Sequence, residues 1–275
     1  MQPNKFMFKP VLSIIKMGIK EGVAYRPQML LTLISFPIFF LTQFFLWTSI
    51  FGDSPNTSIA GFDLTQMVGY YIVGLLILVF TYSHITTELH NGIREGHFIK
   101  FIIKPISYPF FSFWIIIGGR ILAFVMEAIP LLFVVGLMLG FDFFLTPNLT
   151  LFLISFVFAF FINYLLSLIM GTLIFWFTNP NGITWIYRLL RYFFAGGILP
   201  LTFFPEIIQY IILLTPFPLM YFIPAFLFVG NNVILGIEIT PLLLLIYGAI
   251  QLIIFSLIAY FLWRRGVKTF QGVGA

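Results

Sequence analysis

Residues 64–105 read LTQMVGYYIVGLLILVFTYSHITTELHNGIREGHFIKFIIKP, and this stretch decides the fold. From Leu64 to Thr87 it carries no Asp, Glu, Lys or Arg. Such a run is long enough to cross a hydrocarbon core, which takes about 20 helical residues. The composition then switches within a few residues: Glu88, His90, Arg94, Glu95, His97, Lys100 and Lys104 follow one another among apolar neighbours. That second part, residues 88–105, is too polar for lipid and too apolar for a plain loop. On a helix starting near Arg94, the side chains of His97, Lys100 and Lys104 fall along one ridge and those of Phe98, Phe101 and Ile102 along another. The result is a short amphipathic rod at the membrane surface. It could serve either to lie on lipid or to dock on another protein, because both uses need the same amphipathicity.

The rest of the chain repeats the first part of that pattern. Of its 275 residues 61% are hydrophobic and 8% charged, against about 25% charged in an ordinary soluble domain. Apolar runs at 29–51, 64–87, 119–140, 149–177, 183–204 and 236–262 are each read as a membrane span. Their continuity, without strict alternation, excludes the strands of a barrel. The fold class expected is therefore all-α and integral to the membrane, with six transmembrane helices. It divides into an amino-terminal segment at 1–28, a six-helix bundle at 29–262 and a basic tail at 263–275.

The basic residues give an orientation. Lys5, Lys9, Lys16, Lys20 and Arg26 precede the first span; Arg94, Lys100 and Lys104 follow the second; Arg188 and Arg191 flank or enter the fifth; Arg264, Arg265 and Lys268 close the chain. The connections at 52–63, 141–148 and 205–235 hold Asp53, Asp63, Asp142 and Glu206 but no Lys or Arg. By the positive-inside rule both termini are expected in the cytoplasm, and a bacterial cytoplasmic (inner) membrane is the expected location. The net charge of +5 thus reports topology, and no nucleic-acid partner is expected. Residues 6–25 place Phe8, Val11, Leu12, Ile15, Ile19 and Val23 on one helical stripe beside Lys9, Ser13, Lys16 and Lys20, the pattern of an interfacial helix facing membrane lipids. A basic leader that only sets orientation would carry the same charges. No small-residue cleavage site is seen there.

Between the last two spans the chain reads GGILPLTFFPEIIQYIILLTPFPLMYFIPAFLFVG, residues 196–230. Pro200, Pro205, Pro216, Pro218 and Pro224 cut it into pieces too short to span, since each removes a donor and blocks a continuous helix. A re-entrant hairpin on the outer side is expected.

Signatures of catalysis are missing: no GxxxxGK[ST] loop, GxSxG turn, HExxH helix or GxGxxG after a strand occurs. The chain is expected to hold no cofactor, not to be an enzyme and not to hydrolyse ATP by itself; if transport is energised here, the energy must arrive through a partner. Having no cysteine, it has no disulfide, thiolate nucleophile or Cys-ligated metal. His84, Glu88, His90 and His97 do not continue one helical face, so no metal site is expected. The sequons at Asn56 and Asn148 are explained by chance.

Within the spans Arg120 and Glu127 stand out, because a central ionisable side chain costs roughly 2.5–3.5 kcal/mol on insertion scales. Glu127 lies about 10 Å deeper than Arg120. The pair is a candidate for the translocation path, with hydrogen-bonded helix packing as the alternative for Glu127. Asn163, Ser167 and Gly171 recur every four residues and are read as a helix-packing stripe.

Three stretches carry a resemblance. IREGHFIKFIIKP resembles the I-R-x-G-x-x-x-x-x-L-x-x-P motif that follows the second span in permeases of type 2 ATP-binding-cassette (ABC-2) exporters, departing from it at Phe101 and Ile102, where Leu is usual. FAGGILPLTFFPEIIQYIILLTPF is similar to the family's G-x-x-x-P-L-x-x-x-P segment, and WRRGVKTFQGVGA to the basic, Gly-rich tail of one branch. The order of the three agrees over nearly the whole chain. The resemblance implies a half-transporter that pairs with a second permease, identical or related, on two ABC ATPase subunits. Those subunits would bind ATP and Mg and drive the export of an amphipathic or hydrophobic molecule. It further implies that Arg94, Glu95, Gly96, His97, Phe98, Lys100 and Phe101 form a coupling helix against the ATPase, braced by the amino-terminal helix. The competing readings are an ATP-independent channel or lipid-shuffling protein and, behind it, a membrane-embedded enzyme using His84, Glu88 and His90.

Overall fold

A computed structural model describes residues 5–24, 26–52, 58–103, 106–146, 148–177 and 181–270. Asp53, the Asn56 sequon, Lys104, Pro105 and the last five residues of the tail lie outside the described residues. The helices are α1 (Lys5–Ala24), α2 (Arg26–Phe51), α3 (Leu64–Thr81), α4 (Ile85–Arg94), α5 (Ile99–Ile103), α6 (Tyr108–Ala123), α7 (Ile129–Leu139), α8 (Leu149–Thr172), α9 (Asn181–Phe194), α10 (Glu206–Leu213), α11 (Phe217–Met220), α12 (Phe222–Phe228) and α13 (Pro241–Thr269). A two-residue hairpin, β1 (Val233–Ile234) against β2 (Ile237–Glu238), precedes α13.

Among the described residues, five helical segments are long and apolar enough to cross a membrane: Leu31–Phe51, Leu64–Arg94, Tyr108–Leu139, Leu149–Phe175 and Pro241–Thr269. The chain is a multi-pass membrane protein. Helices α3 and α8 form its middle, and α12 is packed against both, every one of its residues buried. Helix α13 lies along α8, with Gly248 set against Phe158 and Leu219. Helix α2 is peripheral and turns Leu31, Ile34, Ile38 and Phe45 outward.

Helix α1 forms over Lys5–Ala24 and packs onto the bundle. It crosses α6 so closely that a Cβ on Gly18 would strike the Ile115 carbonyl and one on Gly118 the Ile15 carbonyl. Ile14 is buried in that crossing. Two facing glycines let the backbones touch, as small residues do between membrane helices.

Several boundaries differ from the expected ones, and the second expected span, 64–87, divides into α3, ending at Thr81, and α4, starting at Ile85. The third long helix begins at Tyr108 rather than near 119, because Pro109 suits a helix's first turn and Gly118 and Gly119 are tolerated inside it. The last helix begins at Pro241, residues 236–240 being taken up by the hairpin and the turn after it. Most changed is the fifth expected span, 183–204. Helix α9 has 14 residues, about 21 Å at 1.5 Å per residue, and ends at Phe194. Gly196 there takes φ +92°, the left-handed conformation that closes helices.

After that break the backbone needs partners that a helix would have supplied. Tyr70 and Tyr71 on α3 donate their hydroxyls to the carbonyls of Gly196 and Ile198, at 2.7 and 2.6 Å. The Phe222 amide donates to the Ala195 carbonyl at 2.9 Å. Gln209 on α10 donates to the Phe204 carbonyl at 2.7 Å, and Tyr247 on α13 to the Thr215 carbonyl at 2.7 Å. Buried carbonyls without helical partners are satisfied in this way by side chains and neighbouring backbone. Here α10 turns Ile207, Tyr210 and Ile211 outward while α12 fills the core.

Candidate functional site

The second long segment ends in α4, and a tight turn joins α4 to the short helix α5 ahead of the third. Gly96, at φ +75°, ends α4; its amide donates to the Ile93 carbonyl at 3.2 Å, and the Phe98 amide to the Gly92 carbonyl at 2.8 Å. A glycine at this position supplies the left-handed residue that reverses the chain. The turn sorts the side chains. Arg94, Glu95, His97, Ile99 and Lys100 face outward, whereas Phe98 is 2% exposed and points into the bundle. The expected shared ridge of Phe98, Phe101 and Ile102 is thus divided: Ile102 is exposed, Phe101 partly covered and Phe98 buried. The helix assumed to start near Arg94 in fact ends there, and the new one starts at Ile99, which moves Phe98 onto the inner side.

Phe98 is the hub of an aromatic cluster. Its ring centroid lies 5.2 Å from Phe270, 5.6 Å from Phe175, 6.0 Å from Trp263 and Phe101, and 6.1 Å from Tyr108. Tyr108 and Trp263 stack at 5.7 Å. The cluster joins the loop to the start of α6, the end of the α8 segment and the end of α13. Helix α4 is also fastened to α8: Thr86 donates to the Ser167 carbonyl at 2.9 Å, and His90 Nε2 lies 3.3 Å from the Met170 carbonyl. Gly171 admits Leu89, its Cβ position falling 3.1 Å from Leu89 Cδ2. Ser167 and Gly171 of the small-residue stripe therefore face α4. Asn163, one turn earlier, donates to the Ala159 carbonyl of its own helix at 2.8 Å.

The outward face of the loop is polar and mixed in sign. His97 Nδ1 lies 3.3 Å from Glu95 Oε2, and the Lys100 ammonium sits 5.2 Å above the Phe101 ring. Lys100 also acts on Glu21 near the end of α1: burial pushes the Glu21 carboxyl up from its ordinary range, and the ammonium pulls it partly back. Glu21 in turn interacts with Glu88 on α4. Helix α1 thus reaches the same place as α4 and α5.

Arg120 and Glu127 do not form a pair in contact. Arg120 Nη1 donates to the Val79 carbonyl in the last turn of α3 at 2.6 Å, and its guanidinium stands 5.6 Å from the Tyr82 ring. It closes the end of α3, where a cation meets carbonyls that lack helical partners. Glu127 lies in a π turn, Phe124–Ala128, in which the Ile129 amide reaches back to the Phe124 carbonyl. Pro130 causes this, having no amide to donate and a ring that crowds the carbonyl four residues earlier. The turn brings Glu127 inward, 3.4 Å from the Thr32 hydroxyl of α2. Neither residue lines the apolar slot of about 580 Å³ between α3, α7 and α8, bounded by Leu76, Phe80, Phe124, Phe133, Leu153 and Phe156.

Among the described residues no three of His, Asp and Glu gather as a metal site. His84 packs on Tyr82, with ring centroids 4.5 Å apart, while His90 and His97 are engaged elsewhere. Sequence reading missed Tyr108, Phe175, Trp263 and Phe270, which lie far apart along the chain. The only local hint was aromatic residues placed where apolar runs end.

A family model described as "ABC-2 family transporter protein" matches residues 38–274. None of the curated proteins matches the chain.

Proposed function

Because this chain belongs to the ABC-2 transporter family and is a membrane permease, we propose that it is the transmembrane half of an ATP-driven exporter whose ATPase subunits dock on the α4–α5 loop. The observation that carries this reading is the division of that loop. Arg94, Glu95, His97 and Lys100 stand out from the bundle on a turn whose inner side is fixed by Phe98. A pushed joint needs both an exposed surface for the partner and a firm seat in the helices that move.

In this reading the basic end, with the loop and both termini, is cytoplasmic. Helix α9 with the tyrosine-bonded segment after it completes a sixth crossing, and α10–α12 form the re-entrant outer hairpin. Two ATPases bind ATP and Mg, this chain holds neither, and a second permease copy or relative completes the path. The exposed apolar faces of α2 and α9 are the surfaces available to it. Glu127 is the candidate polar contact of that path; Arg120 acts by holding the junction of α3 and α4. The wholly apolar slot and the scarcity of buried charge favour amphipathic or hydrophobic cargo.

Affinity purification of the tagged chain in mild detergent tests the reading. An ATPase subunit is expected with the parent and lost with Arg94→Glu and Lys100→Glu together, exposed positions whose reversal leaves the core untouched. A chain that arrives alone in both cases overturns it.

A further inference from the structure

The end of α13 has a face that its membrane role does not explain. Trp263, Gly266 and Phe270 recur at a spacing of three and four residues, one side of a helix. Arg264, Arg265 and Lys268 are exposed on the other sides. Trp263 and Phe270 flank Phe98, while Gly266 forms a notch that admits Phe175, whose ring a Cβ there would strike. The last turns of the chain thus close over the hub ring of a loop some 165 residues earlier.

We propose that this face is an aromatic latch and that Trp263 and Phe270 are positioning residues of the coupling loop. They hold Phe98 in place so that a displacement at α5 reaches α8 and α13 as well as its sequence neighbours, α4 and α6. The inference rests on the proposed docking of an ATPase on that loop. Without the latch, Phe98 keeps only the Phe175, Phe101 and Tyr108 rings of that cluster beside it, its tie to α13 is lost, and the loop yields locally instead of passing motion on. Ring contacts suit this task, because apolar packing is not directional and tolerates small shifts without breaking.

Two readouts separate the latch from the docking it depends on. The first is the rate of tryptic cleavage after Lys100 in the purified chain alone. Trp263→Ala is expected to raise it about tenfold by local opening, Trp263→Phe to leave it near the parent, and Phe226→Ala, which removes a core ring at the opposite end, to leave it unchanged. No change with Trp263→Ala, or an equal rise with Phe226→Ala, overturns the latch whether or not an ATPase binds. The second uses the copurified complex. Trp263→Ala is expected to keep ATPase recovery within about twofold of the parent but to lower ATP hydrolysis per complex several-fold, with rescue by Trp263→Phe. Unchanged hydrolysis overturns the positioning role; an ATPase missing from the parent overturns the docking reading and leaves the first readout to decide the latch.

Discussion

Both ends of the bundle pack rings, Tyr70 against Phe62 and Tyr221 at one and Phe98 against Phe270 and Phe175 at the other, but they differ in what hydrogen bonds add. At the acidic end, phenol and amide groups donate to the carbonyls of a broken chain: Tyr70 to Gly196, Tyr71 to Ile198, Gln209 to Phe204 and Tyr247 to Thr215. At the basic end the centre is a group of rings around Phe98, with separations of 5.2 to 6.1 Å. Hydrogen bonds specify one register and weaken steeply when bent, whereas packed rings can slide and stay in contact. On that difference the acidic end is expected to be the more fixed and the basic end the more yielding. The yielding end is the one that presents Arg94, His97 and Lys100 outward.

Substitutions can sharpen or break that contrast. Phe98→Ala removes the hub ring and is expected to cost about 3–5 kcal/mol, while Phe98→Leu, close in volume, costs under about 1.5 kcal/mol; thermal melts in detergent measure both. Similar losses for the two would mean that the rings specify one geometry and the contrast fails. Gly196→Ala is expected to cost about 2–4 kcal/mol at the other end, combining the penalty of a side chain at φ +92° with crowding, since its Cβ would fall 2.5 Å from the Tyr70 hydroxyl and 2.9 Å from Phe222 Cβ.

Tyr71→Phe leaves the Ile198 carbonyl without its donor and should lower stability by about 1 kcal/mol, read from the same melts. A neutral result would show that the Tyr71 hydrogen bond adds nothing to what holds the segment after α9. The smallest effect is expected at Glu21. Its carboxyl is raised in the folded state, so the ionised form is disfavoured there, and the cost is present above the ordinary carboxylate range and fades as pH falls. Glu21→Gln should therefore raise the melting temperature slightly at pH 7 and make no difference at pH 4.

Much of this was legible in the sequence, for identifiable reasons. Long apolar runs and the placement of Lys and Arg located α2, α3, α8 and α13, because the membrane forces each span into one helix. The prolines from Pro200 to Pro224 announced a broken segment. What could not be read was which partners satisfy the break, since Tyr70 and Tyr71 look like ordinary span residues until Gly196 and Ile198 lie beside them. The helix ending at Phe194 was overrun because Gly196 sits in an apolar run that hydropathy scores as continuous. In the loop, exposed charges were separable from apolar residues, but Phe98 could not be assigned to the inside. That depends on a turn at Gly96 restarting the helix at Ile99, and on Trp263 and Phe270 arriving from the far end of the chain.

The central claim is that the basic end is the joint with an ATPase and the acidic end is not. A chain without cysteine permits its direct test by a thiol-linked photo-crosslinker placed at His97→Cys or at Leu214→Cys, both exposed positions at opposite ends. In membranes containing its partners, an adduct with an ATPase subunit from His97→Cys and none from Leu214→Cys is the result expected. No ATPase adduct at His97→Cys, or equal adducts at both positions, would contradict it.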